Sequence, residues 1–241
     1  MKVICDISVT SGRNRSRQGW HPGYLFRGGA QGAWFDPSDM SMMFQDVAGT
    51  TPVAADGDPV GLMMDKSGNG NHATQSVSAA RPIYRTDGTL HWLEHDGVDD
   101  RLKIPAIPYS SSMTVCIGLN RFSGGTYSSF RSSYAPPYVY AGLSRNGEIS
   151  TLTNSIGGTD RIDGAIFSGT RADLYNTLQQ PRVGTGFHNT SSELSVESTF
   201  LAFATMVAPG RVFAYVEVEN LSIDDLPKLE SSVGTKTGVV I

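Results

Sequence analysis

Two acids near the C-terminus have a spacing that glycoside hydrolysis uses. Apolar residues alternate with others between Arg211 and Glu219, which predicts a β-strand. On that strand Phe213, Tyr215, Glu217 and Glu219 would share one face, with the two acids about 6.6 Å apart, near the separation in inverting glycosidases. Aromatic rings beside acids also suit a sugar, so we predict these four as ligand-binding residues and treat catalysis as the less favoured interpretation. The alternative is an ordinary outer face of a sheet.

Acidic and amide residues also cluster in two predicted turns. Carboxylate and amide oxygens are the hard ligands that Ca²⁺ requires, so calcium is the one cofactor hypothesis that the residues raise. The candidate ligands are Asp65, Asn69, Asp96, Asp99 and Asp100. They would suffice if the two turns meet in space. Otherwise the same residue types are turn formers, which hydrogen-bond to their own backbone.

The segment His91-Trp-Leu-Glu-His95 matches a zinc-protease pattern literally. That chemistry needs a helix, which brings both histidines to one zinc ion. Here the segment is short and turns bound it, so we predict a strand. The two histidines would then lie about 13 Å apart, which excludes a shared zinc ion.

Composition predicts a single all-β domain, which we expect to be an antiparallel sandwich. Only 17% of residues are charged, and 27 Gly and 12 Pro favour many short strands joined by turns. Short helices are predicted near 37–44, where Pro37 follows the capping residue Asp36, and near 223–232, after a capping-box spacing. Asn146-Gly147 predicts a hairpin of residues 138–144 and 148–154. A second hairpin is predicted between residues 198–207 and 211–219.

Residues 1–30 differ from the rest and are predicted to form an N-terminal arm, with the sandwich over 31–241. In an extended chain Arg13, Arg15 and Arg17 would project from one side. With Trp20 they are candidate docking residues, and a solvated loop is the alternative.

Several classes of partner are not expected. The N-terminus lacks the apolar core of a signal peptide, and the longest apolar run is too short for a membrane helix. We therefore expect no membrane insertion. A net charge of −4 gives no global attraction to nucleic acid.

Two segments carry a known pattern. They are Asp65-Lys-Ser-Gly-Asn-Gly-Asn-His-Ala-Thr-Gln75 and Leu93-Glu-His-Asp-Gly-Val-Asp-Asp-Arg-Leu-Lys-Ile-Pro105. The pairing resembles the laminin-G-like, concanavalin A-like jelly-roll family. The stretch Gly32-Ala-Trp-Phe-Asp-Pro-Ser-Asp39 is similar to a subgroup found as virion proteins of tailed bacteriophages, as is the ending Lys236-Thr-Gly-Val239.

The resemblance implies a two-sheet jelly roll used for recognition or assembly, and calcium at one edge in some members. We therefore expect a non-enzymatic virion protein, made in the bacterial cytoplasm, that recognises host-surface glycans as a tail, fibre or baseplate module. The alternative is a head or tail decoration protein, and a polysaccharide depolymerase is less favoured. Expected partners are other virion proteins, reached through the N-terminal arm, and further copies of the chain in a homo-oligomer.

Overall fold

A computed structural model describes residues 19–133, 139–154, 158–188, 197–200, 202–203 and 206–241. Strands and two α-helices follow in the order β1 Gly32–Phe35, β2 Met43–Phe44, β3 Leu62–Met63, β4 Ala73–Thr74, β5 Ile83–Thr86, β6 His91–Asp96, β7 Met113–Arg121, β8 Tyr127–Ser128, β9 Arg131–Ser133, β10 Tyr140–Ala141, β11 Ser144–Arg145, β12 Asp160–Ile162, β13 Ala165–Ile166, α1 Arg171–Thr177, β14 Arg182–His188, β15 Ser198–Thr199, β16 Ala202–Phe203, β17 Met206–Val207, β18 Pro209–Glu219 and α2 Leu226–Thr237. The described part of the chain is therefore mainly β, as the composition predicts.

The main sheet has eight strands, and every pairing in it is antiparallel. Its order is β13-β12-β14-β7-β18-β6-β5, with β1 also paired to β18. One edge of β18 pairs with β7. On the other edge, β6 pairs with residues 209–212 and β1 with residues 215–218. Strands β6 and β1 therefore lie end to end along a single strand.

Short sheets form a second layer over one face of the main sheet. They are β2-β3-β4, β10-β9-β15, β11-β8 and β16-β17. One apolar core joins the two layers, with Leu93 and Ile117 from the main sheet and Met63 and Phe130 from the second layer. The Phe130 ring packs so closely on Gly184 of β14 that a Cβ there would overlap it. The glycine thus lets the layers approach.

Helix α2 and residues 19–30 cover the opposite face of the main sheet. Leu226, Leu229 and Val233 are buried at the spacing of one helix face, and Gly238 ends the helix at a left-handed φ of 76°. A second apolar cluster holds Leu229 and Val233 together with Phe26 and with β7 and β18. The central strands are thus buried on both faces.

The two predicted helices have different outcomes. The C-terminal helix is confirmed, although α2 begins and ends later than residues 223–232. The predicted helix over 37–44 is wrong, because only a 3₁₀ turn at Met40–Met42 forms there. Met43 and Phe44 instead pair with β3, since a strand partner satisfies backbone groups that one isolated turn would leave unpaired. Helix α1 was not predicted, although Thr170 and Asp173 form a complete capping box.

Both predicted hairpins are wrong. A turn does form at Asn146-Gly147, but β11 pairs with β8, and residues 148–154 form no strand. The carbonyl oxygens of Glu148 and Ser150 accept hydrogen bonds from backbone N–H groups in the first turn of α1. The N–H groups in the first turn of a helix have no acceptor inside that helix. Here they take the carbonyl oxygens of Glu148 and Ser150, which a hairpin would pair with the preceding strand. Strand β17 pairs with β16, whereas β18 pairs with β7.

Neither α-helix in the described ranges is long and apolar enough to cross a bilayer.

Candidate binding cleft beside helix α2

A β-bulge divides the face of β18 that the sequence predicts as ligand-binding. Val212 and Ala214 pair with adjacent residues of β7, so Phe213 is an extra residue in β18. The bulge shifts the alternation by one position, so side chains before and after it change face. Phe213 packs against Trp92, with ring centroids 5.9 Å apart, whereas Tyr215 lies in the core between the layers. The prediction that Phe213 and Tyr215 share a face is wrong.

The carboxylate of Glu217 lies inside the sandwich. It accepts hydrogen bonds from Arg131 Nε and from the Tyr215 hydroxyl, each at 2.9 Å. The Arg131 and Glu217 side chains are 1% and 0% exposed, respectively. Burial raises the pKa of Tyr215 well above its usual value, and the Glu217 charge raises it further, so the hydroxyl remains a neutral donor. Glu217 is therefore an internal counter-ion, and its prediction as a surface ligand residue is wrong.

Glu219 is also held in fixed contacts. Its Oε1 accepts hydrogen bonds from the Ser110 backbone N–H, the Ser110 hydroxyl and the Ser111 hydroxyl. Burial alone would raise the pKa of Glu219, but these hydrogen bonds lower it below its usual value. The carboxylate is thus a charged anchor for the loop before β7. Neither acid of the predicted pair lies on an outer face.

The motif around Asp65 is a structural clamp. The Asp65 carboxylate accepts hydrogen bonds from the backbone N–H groups of Trp34, Ser67 and Asn71, at 2.8 to 2.9 Å. The side-chain amides of Asn69 and Asn71 donate to the Gly32 carbonyl oxygen. These contacts hold β1 against the 65–72 turn, and they set the position of Trp34 at the cleft described below.

The five predicted calcium ligands do not form one site. Asp65 contacts Trp34, which pairs with Val216, whereas Asp96 pairs with Pro209. Seven residues of β18 separate these points, roughly 20 Å at the rise of a strand. The two turns therefore do not meet, and the five-residue site is wrong.

Three of those acids do converge at the 96–100 turn. Carboxylate oxygens of Asp96, Asp99 and Asp100 lie within 4.8 Å of one another, which is the part of the set that could hold a cation. Burial and, to a smaller extent, the charges of Asp96 and Asp99 raise the pKa of Asp100 to about 6. Asp100 also accepts a hydrogen bond from the Asp96 backbone N–H at 2.9 Å, as a turn-forming residue does.

The predicted docking residues lie partly outside the described residues, because Arg13, Arg15 and Arg17 precede residue 19. Trp20 is described and half-buried, and it packs against the apolar cluster under α2. The described part of the arm, residues 19–30, thus lies on the main sheet.

A cleft opens where this segment, the main sheet and helix α2 meet. It has a volume of about 200 Å³, and its lining residues are His21, Pro22, Trp34, Asp36, Lys66, Ala214, Val216, Ser232, Val233 and Lys236. An open groove of about 620 Å³ continues from it along α2. The two share His21, Ser232 and Lys236, so they form one continuous surface.

One buried carboxylate organises the charges of the cleft. Asp36 Oδ2 lies 3.1 Å from Lys236 Nζ and 3.5 Å from Lys66 Nζ, and Asp36 itself is 4% exposed. Burial alone would raise the pKa of Asp36, but the Ser38 hydrogen bond and both lysine charges lower it. Lys66 also donates to Asp39 at 2.8 Å. Two ammonium groups therefore share one buried counter-ion at the mouth of the cleft.

Aromatic rings form the other part of the lining. His21 stacks on Trp34 with centroids 6.0 Å apart, and Lys66 Nζ lies 4.8 Å from the centre of the Trp34 ring. The Gly23 backbone N–H donates to His21 Nδ1, so a neutral His21 carries its proton on Nε2. The cleft thus combines flat apolar surface with hydrogen-bond donors, which is the usual composition of a small-molecule site.

Sequence reasoning singled out only Trp20 among the residues of the cleft and groove. Trp34, Lys66 and Lys236 all lie in segments that carry the family resemblance, but those segments were interpreted as fold signals. The signal that could have found them is the residue type: each of these motifs consists mostly of small or turn-forming residues, and Trp34, Lys66 or Lys236 is a larger side chain within it. Nothing in the linear pattern places the three together.

Comparison of the chain with family models, with curated proteins and with solved structures found no significant match.

Proposed function

We propose that this chain is a non-enzymatic recognition module of a bacteriophage virion, which binds glycans of the host surface through the cleft beside α2. The virion assignment rests on the motif resemblance, and so does the jelly-roll connectivity that we propose for the mainly β sandwich. The observation that carries the binding function is the cleft, with its aromatic lining and its hydrogen-bond donors. It lies outside the core, where a ligand can reach it.

The positions of the two acids favour binding over cleavage. A glycosidase needs one carboxyl group on each side of the scissile bond, and both must reach the sugar. Here Glu217 is sealed beside Arg131, and Glu219 is engaged by Ser110 and Ser111. A depolymerase that used Glu217 and Glu219 would have to open the interior of the sandwich before a sugar could reach both carboxylates.

The composition of the cleft suits a sugar. The pyranose ring has one apolar C–H face and a polar rim, and Trp34 offers an amphipathic ring for the first. Lys66, Lys236 and the Ser232 hydroxyl offer polar contacts for the second. The cavity is large enough for a single sugar ring, and the adjoining groove along α2 can take further units of a chain.

A glycan array probed with the purified chain tests the function. We expect binding that Trp34→Leu abolishes, because leucine keeps apolar volume but removes the flat ring. The matched control is Trp92→Leu, since Trp92 lies on the same sheet but packs against Phe213 outside the cleft. Circular dichroism checks that both variants fold. Failure of the wild-type chain to bind any glycan would contradict the proposal.

Two further measurements test the other parts of the proposal. Incubation with bacterial surface polysaccharides should release no new reducing ends, and release by the purified wild-type chain would assign an enzyme instead. An antibody against this chain should label purified particles of a phage whose genome encodes it. Absence of the chain from purified particles would contradict the virion assignment while leaving glycan binding to stand.

A further inference from the structure

We propose that the cleft beside α2 selects sugars that carry a carboxylate, so that the ligand is an acidic glycan. This inference rests on the proposed function and names the class of ligand that the same site takes.

The first argument is the local charge. Lys66, Lys228 and Lys236 line the cleft and its groove, against Asp36 as the one acid among the described lining residues. Asp39 and Asp225, whose side chains are 36% and 33% exposed, are not lining residues but pair with Lys66 and Lys228. For Lys236, the one carboxylate partner among the described residues is Asp36, which Lys66 shares. A ligand in the cleft and groove therefore meets three ammonium groups and one carboxylate, although the three acids balance the lysines and the whole chain carries a net charge of −4.

The second argument is the hydrogen-bonding capacity of Lys236. An ammonium group has three donors. Lys236 Nζ lies 2.5 Å from the Ser38 hydroxyl and 3.1 Å from Asp36, and its side chain is 37% exposed. Two donors are thus engaged on the protein side, and no other acceptor in the described part of the chain engages the third, which remains for a ligand. A carboxylate accepts such a charge-assisted bond more strongly than a sugar hydroxyl does.

The third argument is the fixed position of the charge. Asp36 Oδ1 accepts hydrogen bonds from the Ser38 N–H and hydroxyl, and Oδ2 faces both ammonium groups. Asp36 is therefore fully occupied and holds Lys66 next to the Trp34 ring and Lys236 in the same cleft. A carboxylated pyranose has an apolar face and a charged substituent on the same ring. Trp34 and Lys236 line the same cleft, so they can contact the apolar face and the carboxylate of one such ring.

The fourth argument is the hydroxyl row along the groove. Ser231, Ser232 and Thr235 lie on the side of α2 that lines the groove, next to Trp20 and Lys228. Hydroxyl groups donate and accept, so they suit the sugar hydroxyls of neighbouring units. Lys228 lies one helical turn from this row and would meet a second carboxylate on a polyuronate chain.

Titration calorimetry with the full chain tests the inference. The probe is an oligogalacturonate, and the comparison is a galactose oligomer of equal length. We expect the acidic oligomer to bind at least about tenfold more tightly, as one charge-assisted hydrogen bond predicts. Lys236→Met should remove this preference, and Lys236→Arg should keep it. Arg85→Met is the control, because it removes one positive charge at β5, where Arg85 pairs with Asp56 and Glu94.

The outcomes separate the inference from the function on which it rests. Equal binding of the acidic and neutral oligomers, unchanged in Lys236→Met, would overturn the inference and leave glycan recognition intact. Equal binding of a sulfated galactan without carboxylates would overturn the carboxylate assignment. If no glycan binds at all, the proposed function fails, and the inference fails with it. A loss of affinity in Arg85→Met as large as in Lys236→Met would also overturn it, because net charge alone would then explain binding.

Discussion

The two faces of β18 place similar residue types in opposite situations. On the inner face, Glu217 and Arg131 form an ion pair with almost no exposure, and the Tyr215 hydroxyl donates a further hydrogen bond to Glu217. Toward the outer face, Asp36 is equally buried, but the lysines that it binds are 17% and 37% exposed. The inner charges contact only the protein, whereas the outer charges keep donors at the surface.

This difference shows that burial of both partners decides the role of an ion pair. A sealed pair has no donor left for a ligand, and removing one partner leaves a charge in a medium that solvates it poorly. A pair with one exposed partner can bind a ligand without disturbing the fold. Acidic and aromatic residues on a strand therefore do not identify a binding face until both faces of the sheet are known.

The largest expected effect comes from Glu217→Gln. The substitution leaves the Arg131 guanidinium in the interior without its counter-charge, so we expect a loss of about 3 to 5 kcal/mol in the free energy of unfolding. Urea denaturation followed by circular dichroism measures it. The double variant Arg131→Met/Glu217→Leu should recover most of the loss, since neither charge then remains. A change below about 1 kcal/mol in Glu217→Gln would show that water reaches the pair.

A large effect is also expected where α2 meets the sheet. A Cβ on Gly118 of β7 would overlap the Thr237 hydroxyl and lie 3.3 Å from Val233 Cγ1. Gly118→Ala should therefore destabilise the protein by about 3 kcal/mol, at the upper end of overpacking costs. Thermal unfolding measures the change. The double variant Gly118→Ala/Thr237→Ala should regain part of the stability, and an additive loss would contradict this explanation.

The inner face should also make stability depend on pH through His188. Burial and, to a smaller extent, the Arg131 charge lower the pKa of His188 to about 3, while neither ring nitrogen has a hydrogen-bond partner among the described residues. An unfolded histidine titrates near 6.5, so the unfolded state binds more protons between these values, and stability falls as the pH falls. From pH 7 to pH 5 the wild type should lose about 2 kcal/mol more than His188→Leu.

Urea titrations of both proteins at the two pH values measure this difference. The comparison is needed because burial raises the pKa of Asp100 and of Asp160 to about 6. Those groups act in the opposite direction: the folded state binds more protons than the unfolded state between about 6 and their unfolded values, so they stabilise it as the pH falls. They are common to both proteins and cancel. Parallel pH profiles would contradict the role of His188.

The smallest effect is expected at the groove. Lys228 and Asp225 form an exposed pair three residues apart, at 2.9 Å. Such pairs contribute little, so Lys228→Met should change the free energy of unfolding by less than about 0.5 kcal/mol. Chemical denaturation beside the wild type measures it. A loss comparable to that of Glu217→Gln would remove the contrast between the two faces.

The sequence predicted some elements well and others not at all. Strand β6 and helix α2 follow from local patterns, because turns bound the 91–95 segment and a capping-box spacing precedes the helix. The Asn146-Gly147 turn was also recognised. The strand that pairs with β11 was not recognised, because residues 148–150 bind the N-terminus of α1, about twenty positions away, instead of forming a hairpin.

The sequence by itself determined that the chain is mainly β, that its strands are short and that a helix follows the last strand. Only the tertiary structure decided which side chains of β18 lie in the core between the two layers. One extra residue at Phe213 reverses the alternation, and the linear pattern of apolar residues does not distinguish a bulge from a regular strand. The cleft likewise depends on the packing of three distant segments around Asp36, because Trp34, Lys66 and Lys236 come together only when the main sheet and α2 are in contact.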